Sequence, residues 1–258
     1  MDDSVDAVSM FTVVSVDEFG KPAFKYRRHR LVKRSNNFRW YGAVHEYLAV
    51  GGKIVHSDIA VLHRKQNSSK SASRRNLNIY EKRLEKGDAF SARDTFYYAN
   101  ELRDHGEFQK AVEQYKKFLD CKEGWLEDNI RACINLADCY RNLKKPSEEI
   151  EALTRTFVYD IPRPEVSCRL GDMYKMKNMF YKAIIWYRLA IEADVSDSLG
   201  FQLEQYSTWY PHLQLCVCYW QIGNKELAYY HHEKTKEYRP HDERVQYNEQ
   251  FFKGIGEE

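Results

Sequence analysis

The rhythm of apolar and polar positions changes once along this chain, near residue 74. Before that point the pattern is that of strands. Residues 8–16 are β-branched and aromatic enough for a buried strand. Turn residues follow from Asp17 to Pro22. From Ala23 to Arg34, Phe24, Tyr26, Leu31 and Val32 stand among basic residues, as in a strand with one wet face. Ser35-Asn36-Asn37 breaks the pattern, Gly51-Gly52 makes another turn, and Lys53 to Leu62 reads as a third strand ending at His63. Residues 66–73 are polar and aperiodic, hence a linker or loop. From Arg74 the spacing becomes helical, with Leu77, Tyr80 and Leu84 on one face before Gly87 ends the element.

The chain beyond Gly87 repeats. With Ala99, Ala137, Gly171 and Cys216 in register, a large apolar residue precedes each of them: Tyr98, Leu136, Leu170 and Leu215. Leu102, Tyr140, Tyr174 and Tyr219 follow three positions later. Ala111, Ala183 and Ala228 come twelve positions after the small residue in three units, with Tyr115 and Tyr187 four further on in two of them. This pattern resembles tetratricopeptide (TPR) repeats, in which small residues sit where two antiparallel helices touch and large ones fill the space between hairpins. The units are spaced 38, 34 and 45 residues apart, which puts extra length near 121–125 and 195–207. The second unit departs most: Glu149 stands where an alanine is expected, and Pro146 opens its second helix. The fold class expected is therefore mainly α, a TPR-like solenoid of helical hairpins over residues 91–258. A connecting segment at 66–90 and a small three-strand α/β piece at 1–65 precede it. The tyrosines and Trp186 of the repeats read as core.

Charge divides the chain in a different way. Residues 1–20 hold five acids and no Lys or Arg; residues 21–86 hold 17 basic against four acidic side chains. The remainder has 23 basic and 29 acidic residues. The basic segment suits an anionic partner, such as a nucleotide diphosphate, a nucleic acid or an acidic surface, or is a solvated face. Among the six cysteines no CxxC pair occurs, so they read as reduced core thiols. No apolar run approaches the ~18–20 residues that span a bilayer. Together with the acidic start, this implies a soluble, cytoplasmic protein.

The densest group of chemically capable residues is Phe38-Arg39-Trp40-Tyr41-Gly42-Ala43-Val44-His45-Glu46. Read with the basic strand ending Arg30-Leu31-Val32-Lys33-Arg34 and the strand closing on His63-Arg64, it resembles the C-terminal part of a bacterial family 2-type, GT-A-fold glycosyltransferase whose catalytic domain runs into TPR helices. The resemblance covers about residues 8–65. It implies a nucleotide-sugar donor, a protein or glycan acceptor, and inverting transfer, with Glu46 as the catalytic base and His45 orienting it or bonding the backbone. Trp40 would pack by the sugar or acceptor, Gly42 would allow close backbone approach, and Arg30, Arg39 and Arg64 would neutralise the leaving diphosphate. His63 would complete a Mn²⁺ or Mg²⁺ site, or would simply be a strand-end histidine. The nucleotide-binding half that such a fold needs does not precede these residues, which implies a fragment inactive on its own. The other reading is a non-catalytic TPR interaction scaffold, binding a peptide or self-associating. Nucleic acid is a weaker expectation, since no RNA-binding motif accompanies the aromatics.

Overall fold

The computed structural model describes residues 4–18, 20, 22–62, 74–194 and 203–252. The described residues up to Tyr159 form one compact unit, and those from Asp160 onward form a second.

The first unit opens with a three-stranded sheet. Strand β1 (Ala7–Val16) lies between β2 (Pro22–Val32) and β5 (Ile54–Leu62), antiparallel to the first and parallel to the second. The three strands expected from the alternation are thus present, close to their expected limits. Asp6 clips the open end together. Its carboxylate accepts from the Lys53 amide at 2.8 Å and from Asn36 Nδ2 at 2.7 Å. These two hydrogen bonds, the Lys53 one first, hold its carboxyl below the usual range. Between β2 and β5 a second, two-stranded ribbon forms from β3 (Arg39–Tyr41) and β4 (Tyr47–Ala49). The sequence pattern did not separate this ribbon from its flanks, because three-residue strands are too short to show a period.

Helix α1 (Arg75–Glu85) buries Leu77 and Tyr80. Two hairpins follow in the first unit: α2 (Ala92–Asp104) with α3 (Phe108–Cys121), and α4 (Leu126–Asn142) with α5 (Pro146–Arg155). The second unit holds α6 (Pro164–Met176) with α7 (Phe180–Glu192), α8 (Trp209–Gln221) with α9 (Lys225–Tyr238), and the short α10 (Glu243–Glu249). Four helical hairpins stand where the four aligned small residues placed them.

Each hairpin closes in the same way. Seven residues after the aligned small residue, Gly106, Lys144, Asn178 and Gly223 all take positive φ, between 56° and 81°. The following amide then bonds back to the carbonyl of the large residue at the third position: Glu107 to Leu102, Lys145 to Tyr140, Met179 to Tyr174 and Asn224 to Tyr219, all near 2.9 Å. This is the left-handed helix ending that satisfies the last carbonyls. Lys144 is the costly member, since a Cβ disfavours that conformation.

The hairpins are fastened inside by buried tyrosines. Tyr115 on α3 is fully buried, and its hydroxyl donates to Asn100 Oδ1 on α2 at 2.6 Å. Asn135 of the next hairpin donates to the same oxygen at 2.9 Å. In the second unit Tyr187 and Tyr210 both donate to Asp172, at 2.6 and 2.9 Å. Gly171 lies under the Tyr187 ring: a Cβ there would stand 2.7 Å from the ring edge. In the second repeat the departure at Glu149 resolves as an ion pair. Glu149, 5% exposed, meets Arg141 Nη2 at 2.8 Å. Five cysteines are buried, and burial pushes their thiols up, Cys133 to about 12. Cys121 is exposed, so the reading of all six as core thiols is corrected at that position.

Two substitutions test this packing. Gly171→Ala should destabilise the second unit by about 1–3 kcal/mol through overpacking against Tyr187, although alanine is the better helix former by about 1 kcal/mol. Lys144→Gly should stabilise the first unit by about 0.5–1 kcal/mol by relieving the left-handed lysine. Urea titration followed by circular dichroism reads both; opposite signs would refute the packing described.

Candidate functional site

Helix α2 is set in place before it presents anything. Ser91 caps it by accepting from the Asp94 amide at 3.1 Å, while Asp94 reaches back to the Ser91 amide at 3.2 Å. Asp94 also pairs with Arg83 of α1 at 2.7 Å. So fixed, α2 carries Arg93, Tyr97 and Glu101 four residues apart, on one stripe.

The turn of the β3–β4 ribbon docks on that stripe. Gly42 takes φ +110°, and a Cβ there would stand 3.2 Å from the Val44 carbonyl, so the turn requires glycine. Val44 is buried, and His45 sits in the left-handed region at φ 54°. The His45 ring stacks on Tyr97 at 4.6 Å between centroids. Its Nε2 lies 2.8 Å from Glu101 Oε1. Arg93 donates to the His45 carbonyl at 3.1 Å and rests between the Tyr47 and Tyr97 rings, 4.4 and 4.6 Å from their centroids. Asn76 of α1 donates to the same Glu101 oxygen at 3.1 Å. Burial alone would push the Glu101 carboxyl up, but the bonds from His45 and Asn76 more than reverse this and hold it below the usual range.

On α4, Asp128 feels the charge of Arg93. Burial first, opposed by Arg93 and added to by the charge of Asp128, raises the Tyr97 hydroxyl's pKa. Burial pushes the Asp128 carboxyl up to about 6, against the pull of Arg93. Arg93 Nε is itself buried, without a hydrogen-bond partner among the described residues.

The residues singled out in the sequence do not gather into one pocket. His45 faces Glu101 and not Glu46, which is exposed. Gly42 serves the turn, and on β3 both Trp40, 60% exposed, and Arg39 are open to solvent. Arg30 belongs to the sheet, where it donates to Thr12 Oγ1 at 2.8 Å. His63 and Arg64 lie outside the described residues. Among the described residues no three His, Cys, Asp or Glu side chains gather as they would around a metal ion. Sequence reasoning misses Arg93, Glu101 and Asp128. The spacing of Arg93, Tyr97 and Glu101 is the one signal for Arg93 and Glu101, hidden because Tyr97 reads as core, and Asp128, on another helix, has none.

No known protein family matches the chain, and no curated protein matches it in sequence. Solved structures do resemble it. One is YrrB, described as a TPR protein with an unusual peptide-binding site: 17% identity, TM-score 0.50, covering 68% of this chain and 82% of that one. Another is the C-terminal part of a TPR repeat-containing protein from Cytophaga hutchinsonii: 14% identity, TM-score 0.51, covering 64% of this chain and 59% of that one. Both are TPR proteins and not glycosyltransferases, which overturns the resemblance of residues 8–65 to a GT-A catalytic domain. The nucleotide-sugar donor and the glycan acceptor lose their support with it. No described helix is long and apolar enough to cross a membrane. The chain is a mainly helical, TPR-like solenoid with a small three-stranded sheet at its N-terminal side.

The docking of the ribbon carries its own prediction. Glu101→Gln should speed hydrogen exchange of the amides between Tyr41 and Ala49 by about tenfold while leaving α3 unchanged. In the unaltered protein, the lowered Glu101 pKa means its stabilisation is fully present above the ordinary carboxylate range. It is lost as pH falls through the lower, folded value. Ribbon exchange that ignores both the substitution and acid pH would refute the docking.

Proposed function

We propose that this protein is an interaction scaffold that binds an extended segment of a partner protein along the face shared by α2 and α4. One observation carries the reading: α2 already holds an irregular piece of its own chain there, by a ring stack, a buried carboxylate and a backbone hydrogen bond. A surface that recognises peptide in cis has the chemistry to recognise it in trans. Similarity to YrrB, which has a peptide-binding site, supports the same reading.

The partner's chemistry follows from Asp128. A half-buried carboxylate with a raised pKa is poorly solvated and gains from an opposite charge brought close to it. The partner segment therefore carries a Lys or Arg beside an apolar or aromatic residue that rests on the Tyr97 side.

Asp128→Asn separates binding from folding. A group whose folded pKa is raised destabilises the fold once ionised, so the substitution should stabilise the protein at pH 7.5, by about 1–2 kcal/mol. The gain should shrink as pH falls through about 6 and vanish only below the ordinary carboxylate range, where the carboxyl is neutral folded and unfolded alike. Binding should move the opposite way. Labelled peptides bearing Lys or Arg should bind the unaltered protein above pH 7, weaken as pH falls through about 6, and lose roughly tenfold in affinity to the variant. Fluorescence anisotropy reads it, and equal affinity of the two proteins at pH 7.5 would overturn the proposal.

A further inference from the structure

The two edges of the three-stranded sheet are built differently. The outer strand β2 begins at Pro22 and carries Lys25, Arg27, Arg28 and Arg30, the charges and proline that keep an edge from pairing. The other outer strand, β5, spans nine residues and has one charged side chain, Asp58. Val55, Ile59 and Leu62 on it are 39, 57 and 46% exposed. Among the described residues, β5 has no neighbour but β1. A long, weakly charged edge of this kind is a template for one more strand. The register with β1 shifts between Ser9 and Phe11, so a bulge at 57–59 divides the edge into two short pairing segments.

The charge around that edge comes from across the sheet. Phe11 pairs with Arg27 on one side and with Ala60 on the other, so all three lie on one face. The Arg27 guanidinium crosses above the Phe11 ring, 4.0 Å from its centroid, and donates through Nη1 to the Ser57 carbonyl at 3.0 Å. A positive charge from β2 is thereby delivered to β5, next to the small side chain of Ala60. Lys25 also lies over Phe11, at 5.3 Å.

We infer that the outer edge of β5 takes up an extended strand of a partner protein in which apolar residues alternate with Asp or Glu, an acidic side chain meeting Arg27. A second copy of this chain fits poorly, because edge-to-edge pairing would bring two such basic sheets together. The site is separate from the α2–α4 face and of opposite preference: it takes an acidic segment where that face takes a basic one.

The test uses the full chain and synthetic peptides alternating Val or Thr with Glu, carbonyl-labelled with ¹³C, and matched peptides with Lys in place of Glu. The acidic peptide should bind in low salt and, once bound, show the amide I signature of a paired strand in isotope-edited infrared spectra. The Lys peptide should bind at least about tenfold more weakly. Arg27→Gln should cost roughly fivefold to tenfold. Because the Lys53 carbonyl accepts from the Ala7 amide, the Ile54 amide points to the outer edge. Ile54→Pro, at the first position of the strand, should therefore weaken the acidic peptide about fivefold while the circular dichroism melt of the chain is unchanged. Asp128→Asn should leave this binding as it is. Equal binding of the two peptides, a bound peptide without the strand signature, loss of binding in Asp128→Asn, or a dimer in sedimentation that Ile54→Pro dissolves would each overturn the inference.

Discussion

A tyrosine buried between two helices must place its hydroxyl somewhere, and the helical part of this protein is arranged around that requirement. An unpaired buried hydroxyl costs more than a single hydrogen bond returns. Tyr115 meets it with Asn100 across its hairpin, and Asn135 bonds the same oxygen from the next hairpin. Tyr187 meets it with Asp172, which also receives Tyr210. One polar position on the first helix of a hairpin thus fastens that hairpin inside and to its successor at once. The aligned small residue precedes it by one position, and in the third repeat nothing larger than glycine fits beneath the ring.

The charges of the two parts of the chain follow from what each has to cover. Paired helices bury their apolar stripes on one another, so their acidic surplus is left for outward faces. In the basic sheet, arginines lie flat across the strands: Arg27 over Phe11 and Arg30 onto Thr12. Their stems cover apolar surface while their heads find acceptors in the sheet itself. Among the described residues no helix packs broadly on the three-stranded sheet, so it gains from such cover, and its charge is in part a consequence of that need.

The repeats are legible in the sequence because helix contact filters residue size at fixed spacing, as at Ala99, Ala137, Gly171 and Cys216. The hairpin closure seven residues on is equally regular but only partly legible there. Gly106, Asn178 and Gly223 are of the types that favour a positive φ, whereas Lys144 shares the conformation without the residue type. Long strands declare themselves through alternation, whereas the three-residue strands of the ribbon have no room to. The site is the least legible part. The stripe Arg93–Tyr97–Glu101 acquires meaning only when a turn fifty residues upstream is laid against it, and nothing in local sequence announces a contact at that separation.

The stretch from Trp40 to Glu46 shows why residue type alone is weak evidence for chemistry. An imidazole, a carboxylate, a glycine and an indole close together are what a catalytic site uses, but a tight turn that must grip a helix draws on the same set. Gly42 is there for its φ, Val44 for burial, and His45 for a stack on Tyr97 and a bond to Glu101. Each is accounted for by the chain's own geometry, and Glu46 is left exposed beside them. What separates the two uses is where the polar atoms aim. In a catalytic site they converge on a space that substrate will fill; here the imidazole converges on a carboxylate of the same chain. The carboxylate whose ionisation is opposed by its surroundings, Asp128, belongs to a helix that the motif does not include.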